Sequence, residues 1–138
     1  MQLTQQALER FAAHIAGLAR PGDAILLEGP LGAGKTTFAR AFLRAIAGDV
    51  ALEVPSPSFT LVQSYGAVHH FDLWRLDGPA ALSELGWDDA REDIVLVEWP
   101  DRLGFLAPPD ALRVALDYGE DDTRTVMVEG WSGRLVQP

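Results

Sequence analysis

The sequence predicts an α/β domain in three layers, built on a mixed sheet that is parallel at its centre and antiparallel at an edge. Three observations predict it. Residues 24 to 47 run from a short apolar stretch through a glycine-rich segment into a helical pattern. IVLV at 94 to 97 is a second wholly apolar run, as expected of strands covered on both faces. Two alternating segments, LRVALDY and TRTVMVEG, flank the acidic turn GEDD, the pattern of an antiparallel pair.

Taken in order, residues 4 to 19 place Leu8, Phe11, Ile15 and Leu18 at helical spacing, with Thr4 as the N-cap and Pro21-Gly22 as the stop. Ala24 to Leu27 follow as a buried strand. From Thr36, Phe38, Phe42, Ala45 and Ile46 repeat at helical spacing until Gly48-Asp49 ends the segment. After the Pro/Ser stretch EVPSPSFT, strands are expected at TLVQSY and VHHFDL, then a short helix from Pro79 to Leu85. IVLV and the two late segments complete the sheet. The sequence contains no repeat, linker or low-complexity tract.

A chain of 138 residues fits one domain with a real core. It is 48% hydrophobic and 22% charged, which excludes a disordered or fibrous protein. No apolar run approaches the roughly 20 residues needed to span a bilayer, and no basic stretch leads into an apolar one at the start. A cytoplasmic protein with no membrane association is therefore expected. Without cysteine, disulfides and thiolate metal sites are excluded. The net charge of −9 argues against independent nucleic-acid binding, which relies on a broad basic face. Any nucleic acid in this protein's biology is expected to be held by a partner.

Gly29-Pro30-Leu31-Gly32-Ala33-Gly34-Lys35-Thr36 fits G-x-x-x-x-G-K-[ST], with the strand before it and the helix after it that the motif requires. The glycines let the backbone curl so that amides point at phosphate oxygens, and the following helix adds the positive end of its dipole. Lys35 is the only lysine in the chain. A compact ammonium can reach between β- and γ-phosphates where a wider guanidinium would not fit. Thr36 would offer its hydroxyl to Mg²⁺. A P-loop NTPase-type fold is the expectation.

Such a site needs acids at the ends of neighbouring strands, to hold the waters of Mg²⁺ and orient an attacking water. Glu98 directly follows IVLV. Asp72, closing VHHF, is the second candidate, although the alternation around it also suits an acid facing solvent. Ser56-Pro57-Ser58-Phe59-Thr60 carries three hydroxyls on a stiffened backbone, which suits either a switch reading the γ-phosphate or a turn entering a strand. His69 and His70 are adjacent and face opposite sides of a strand, so both are expected to be structural. Trp99 could stack on a ring or simply pack.

The phosphate loop, SPSFTLVQSY, HFDLWRLDG and LVEWPDRL, in this order and spacing, resemble the TsaE (YjeE) family of bacterial ATPases in the tRNA threonylcarbamoyladenosine pathway. The likeness runs from the first helix to about residue 130. It implies an Mg-dependent ATPase that binds ATP and ADP and supports the TsaD and TsaB proteins, with tRNA reached only through that complex. It also implies nucleotide contacts from Gly29, Leu31, Gly32, Ala33, Gly34, Lys35, Thr36, Thr37, Thr60 and Arg124, and an approach by the Thr4–Gln5 region. Lys35, Glu98 and Asp72 would be catalytic, and Thr36, Glu98 and Asp72 associated with the metal. SPSFT takes the place of the family's first switch. Two positions depart from the pattern: Ser58 stands where threonine is common and keeps the hydroxyl, while Trp74 replaces a frequent tyrosine and loses one.

Three other readings compete. A P-loop small-molecule kinase usually closes an arginine-bearing lid over its acceptor, and no arginine-rich insert lies between the helices. A GTPase-type switch commonly reads guanine with N-K-x-D, which is impossible here because Lys35 is already committed. A nucleotide-binding subunit without turnover is separable from an ATPase by Lys35→Ala and Glu98→Ala.

Overall fold

The computed structural model describes residues 1–134 and 136. In chain order the elements are β1 (Gln2–Leu3), α1 (Gln5–Leu18), β2 (Ala24–Glu28), α2 (Lys35–Ala47), β3 (Val62–Tyr65), β4 (Val68–Asp72), a 3₁₀ helix (Pro79–Leu85), α3 (Trp87–Ala90), β5 (Ile94–Glu98), a second 3₁₀ helix (Pro100–Leu106), β6 (Leu112–Tyr118) and β7 (Arg124–Glu129). The Thr4 hydroxyl accepts from the Ala7 N–H and caps α1. Gly48, at φ 64°, closes α2 in a left-handed turn.

The seven strands form one sheet in the order β1-β7-β6-β2-β5-β4-β3. β6, β2, β5 and β4 are mutually parallel. Antiparallel pairing flanks them on both sides, through β3 on one edge and β7 and β1 on the other. The expected centrally parallel mixed sheet is present, and its antiparallel character extends to both edges rather than one. β1, α3 and the second 3₁₀ helix were not expected. β1 and α3, of two and four residues, are too short for a period to register, β1 exists only by pairing with β7, and the second 3₁₀ helix is interrupted at Gly104, whose φ of 54° and ψ of −127° are not helical.

Alternation along each central strand splits the core in two. Ile25, Leu27 and Leu96 face α1 and α2, where Leu8, Phe11, Ile15, Phe38 and Phe42 pack on them. Leu26, Val95, Val97 and Phe71 face the other way, onto Leu82, Trp87 and Leu103. This is the three-layer arrangement, with one thick helical layer and one built from short turns. Among the described residues no helix is long and apolar enough to cross a membrane.

Parallel register brings the carboxyl ends of the strands together. Leu27 of β2 stands beside Glu98 of β5, and Glu98 stands beside Asp72 of β4. In parallel sheets this is the edge at which ligands bind.

Candidate active site

Leaving β2, the chain curls through Gly29 to Gly34 and enters α2 at Lys35. Two glycines are sterically required. A Cβ on Gly29 would lie 2.1 Å from the Leu116 carbonyl oxygen, with φ at 144°. One on Gly34, at φ 114°, would press on Leu8 and on the Arg124 guanidinium, 3.1 and 3.3 Å away. The loop therefore lies flush against β6 and α1, and the first turn of α2 opens onto the end of β5.

A cleft of about 300 Å³ lies over this loop. Leu31, Gly32, Gly34, Lys35, Thr36, Thr37, Asp72, Glu98 and Arg124 line it together with Ser56, Ser58, Trp74 and Trp99. Gly29 and Ala33 shape the loop without lining that cleft. Gly29 offers its carbonyl to Lys35, and Ala33 is buried against the helical core.

Lys35 is only 5% exposed. Its ammonium donates to the carbonyls of Gly29 at 2.5 Å and Pro30 at 2.9 Å, and sits 4.2 Å from the centre of the Trp99 ring. Burial pushes its pKa below the ordinary lysine value, and the Glu98 and Asp72 carboxylates pull it partly back. Trp99 reaches this position because its backbone turns sharply after β5, at φ 60° and ψ 56°. Its ring also contacts Trp74, centroid to centroid at 4.4 Å. Trp99 is thus a wall of the site.

The two acids are the least solvated carboxylates, Glu98 at 2% and Asp72 at 4% exposure. This excludes the reading in which Asp72 merely faces solvent. Glu98 Oε1 accepts from the Thr36 hydroxyl at 3.2 Å. Its Oε2 lies 2.7 Å from Nε2 of His70. Asp72 accepts from the Ser58 hydroxyl at 3.0 Å and from the Trp74 N–H at 3.1 Å. Ser56 in turn lies 2.8 Å from Ser58, so a line of hydroxyls connects the Pro/Ser segment to the acid.

The fold separates the hydroxyls of the Pro/Ser segment, and it separates the two histidines. Thr60 is exposed and accepts from the Gln63 side chain at 3.1 Å. Ser56 and Ser58 line the cleft, whereas Thr60, inside the turn closed by the Leu61 N–H on the Pro57 carbonyl, does not. His70 contacts Glu98, a contact the sequence could suggest only through the face that His70 shares with Asp72. His69, facing the other side, packs between Ser64 and Asp93.

Arg124, at the start of β7, lines the first cleft and a second of about 610 Å³ beside it. Thr4, Gln5, Gly32, Ala33 and Tyr118 also line the second. The Thr4–Gln5 region and Arg124 therefore share a cavity next to the loop. Tyr118 donates to the Leu31 carbonyl and fixes the loop tip against it.

Among the described residues no three His, Cys, Asp or Glu side chains are placed to hold a metal unaided. The Thr36 hydroxyl with the Glu98 and Asp72 carboxylates is instead a partial, all-oxygen set. Such a set fits Mg²⁺, which takes one or two protein ligands and completes its shell with phosphate oxygens and water.

The chain is similar to proteins of one family. The chain is 32% identical to the tRNA threonylcarbamoyladenosine biosynthesis protein TsaE of Rickettsia conorii over 126 residues, covering 88% of this chain and 71% of that one. It is 37% identical to the protein of the same name from Haemophilus influenzae over 108 residues, covering 74% and 66%. A crystal structure of Bacillus subtilis YdiB superposes with a TM-score of 0.70 at 28% identity, covering 91% of this chain and 83% of that one. The family model for the threonylcarbamoyl adenosine biosynthesis protein TsaE matches residues 3–126, and the chain accordingly belongs to the TsaE family.

Proposed function

We propose that this protein is an Mg-dependent, ATP-binding and ATP-hydrolysing subunit in tRNA threonylcarbamoyladenosine modification, acting with the TsaD and TsaB proteins. The observation that carries the reading is the convergence of Lys35, Thr36, Asp72 and Glu98, from three neighbouring strand ends, on one glycine-curled loop. The loop amides and the N-terminus of α2 would hold the phosphates of ATP. The Lys35 ammonium would exchange its two carbonyl partners for phosphate oxygens, a charged contact stronger than either. The second cleft, which shares Gly32 and Arg124 with the first, would take the nucleoside.

Bound beside Thr36 and Glu98, Mg²⁺ would neutralise charge developing on the phosphate oxygens. Glu98 or Asp72 orients the water that attacks the γ-phosphoryl group, breaking its bond to the β-phosphate oxygen and yielding ADP and phosphate. The hydroxyl line from Asp72 through Ser58 to Ser56 couples this step to the exposed Pro/Ser segment. There, a change of conformation would reach a docked partner. The partner complex, rather than this acidic chain, would grip the tRNA, and turnover is expected to be slow without it.

Calorimetry and phosphate release test the reading directly. Lys35→Ala should weaken ATP binding about 100-fold or more, whereas Glu98→Ala should bind ATP near the wild-type level and lose hydrolysis. No heat of association with ATP or ADP would remove the proposal. Rapid phosphoryl transfer to a small metabolite would replace it with a kinase.

A further inference from the structure

His70 is completely enclosed and lies on β4 two residues before Asp72, so both side chains project from one face of the sheet. Its Nε2 is 2.7 Å from Glu98 Oε2. A carboxylate only accepts, so the hydrogen of this bond belongs to Nε2. The other oxygen of Glu98 takes the Thr36 hydroxyl. Donors from two separate elements, β4 and α2, thus fix the carboxylate at both ends and leave each oxygen a further lone pair.

The other ring nitrogen makes packing a poor explanation. His70 Nδ1 is buried without a hydrogen-bond partner among the described residues. A buried polar atom left in that condition is unfavourable, and an apolar side chain would fill the volume without it. The contact with Glu98 is the polar interaction that this imidazole makes there.

We propose that His70 is a positioning residue for hydrolysis. It holds the Glu98 carboxylate in the one orientation that addresses both the Thr36 hydroxyl and the reacting phosphate. This rests on the ATPase reading above. Groups that orient a metal-associated carboxylate typically change activity by about 10–100-fold when removed. The effect should fall on kcat, because Glu98 does not hold the nucleotide.

The test measures ATP turnover and ADP affinity for the full chain, alone and with the TsaD and TsaB proteins. His70→Leu should lower kcat about 10–100-fold while KM and ADP affinity stay within about twofold. His70→Gln, whose amide can place an N–H near the position of Nε2, should recover most of the loss. His70→Asn, one methylene shorter, should not. Unchanged kcat in His70→Leu, or a loss confined to KM, would overturn the role of His70. If His70→Leu does not fold, the Gln and Asn variants decide: equal activity in the two overturns the proposal, and activity in Gln alone supports it. A wild-type chain that hydrolyses no ATP under either condition would instead overturn the ATPase reading.

Discussion

Lys35 concentrates the conflict at this site: a cation is held nearly out of water by the protein alone. Two backbone carbonyls and the face of Trp99 are its partners, yet burial still lowers its pKa from the ordinary 10.5. The sign of the resulting pH dependence follows. Because the folded-state value lies below the unfolded one, the unfolded chain binds more protons in the window between them, and stability rises with pH there. Urea titrations should show the unfolding free energy of the wild type climbing, relative to Lys35→Met, in the alkaline range approaching 10.5. A parallel pair of curves would mean that Lys35 is not desolvated. The identity of Lys35 and Thr36 was legible from the motif alone, since loop chemistry is local. The contact of His70 was not: it depends on a strand neighbour 28 positions away in sequence.

Among the elements, α2 decides most, because it carries both Lys35 and Thr36 on its first turn. It is held by aromatic contacts. Phe38 meets Phe11 edge-on at 6.2 Å and stacks near Phe42 at 6.5 Å, with all three rings buried. Truncation of Phe38 to alanine should cost about 3–5 kcal/mol, a large share of the roughly 5–15 kcal/mol that holds a domain together. Phe38→Leu should cost less than half as much by chemical denaturation, since most of the volume remains. Equal losses would point to a specific ring interaction rather than to filled space. Helical spacing foretold Phe38 and Phe42 on this face, but Ala45 and Ile46, expected to continue it, are exposed, and Ala39 and Leu43 are buried in their place. Short elements were less readable: β1 has two residues and α3 four, too few for any period to emerge.

Across the molecule, the distribution of charge matches the proposed division of labour. A net charge of −9 leaves the chain ill suited to hold tRNA by itself, while the single lysine sits where a nucleotide would be clasped. Ligand linkage then offers a global readout. ATP with Mg²⁺ at 100 times its dissociation constant should stabilise the fold by about 2.7 kcal/mol, which for a chain of this size means a Tm rise on the order of 10 °C. Chelating the metal should shrink that rise, and Lys35→Ala should cut the stabilisation to about 0.4 kcal/mol or less. A Tm indifferent to ATP in the wild type would count against nucleotide binding as a whole.

By itself the sequence determined the curl of the phosphate loop, the helix that follows it, and the parallel strands that deliver Glu98 and Asp72. Each rests on local spacing, on which residues tolerate a positive φ, or on runs apolar enough to be buried on both faces. Tertiary structure alone decided that Ser56 and Ser58 enter the cleft while Thr60 leaves it, that Trp99 covers Lys35, and that His70 grips Glu98. Those outcomes depend on strand register and on the direction of a turn, which arise only when distant segments pair.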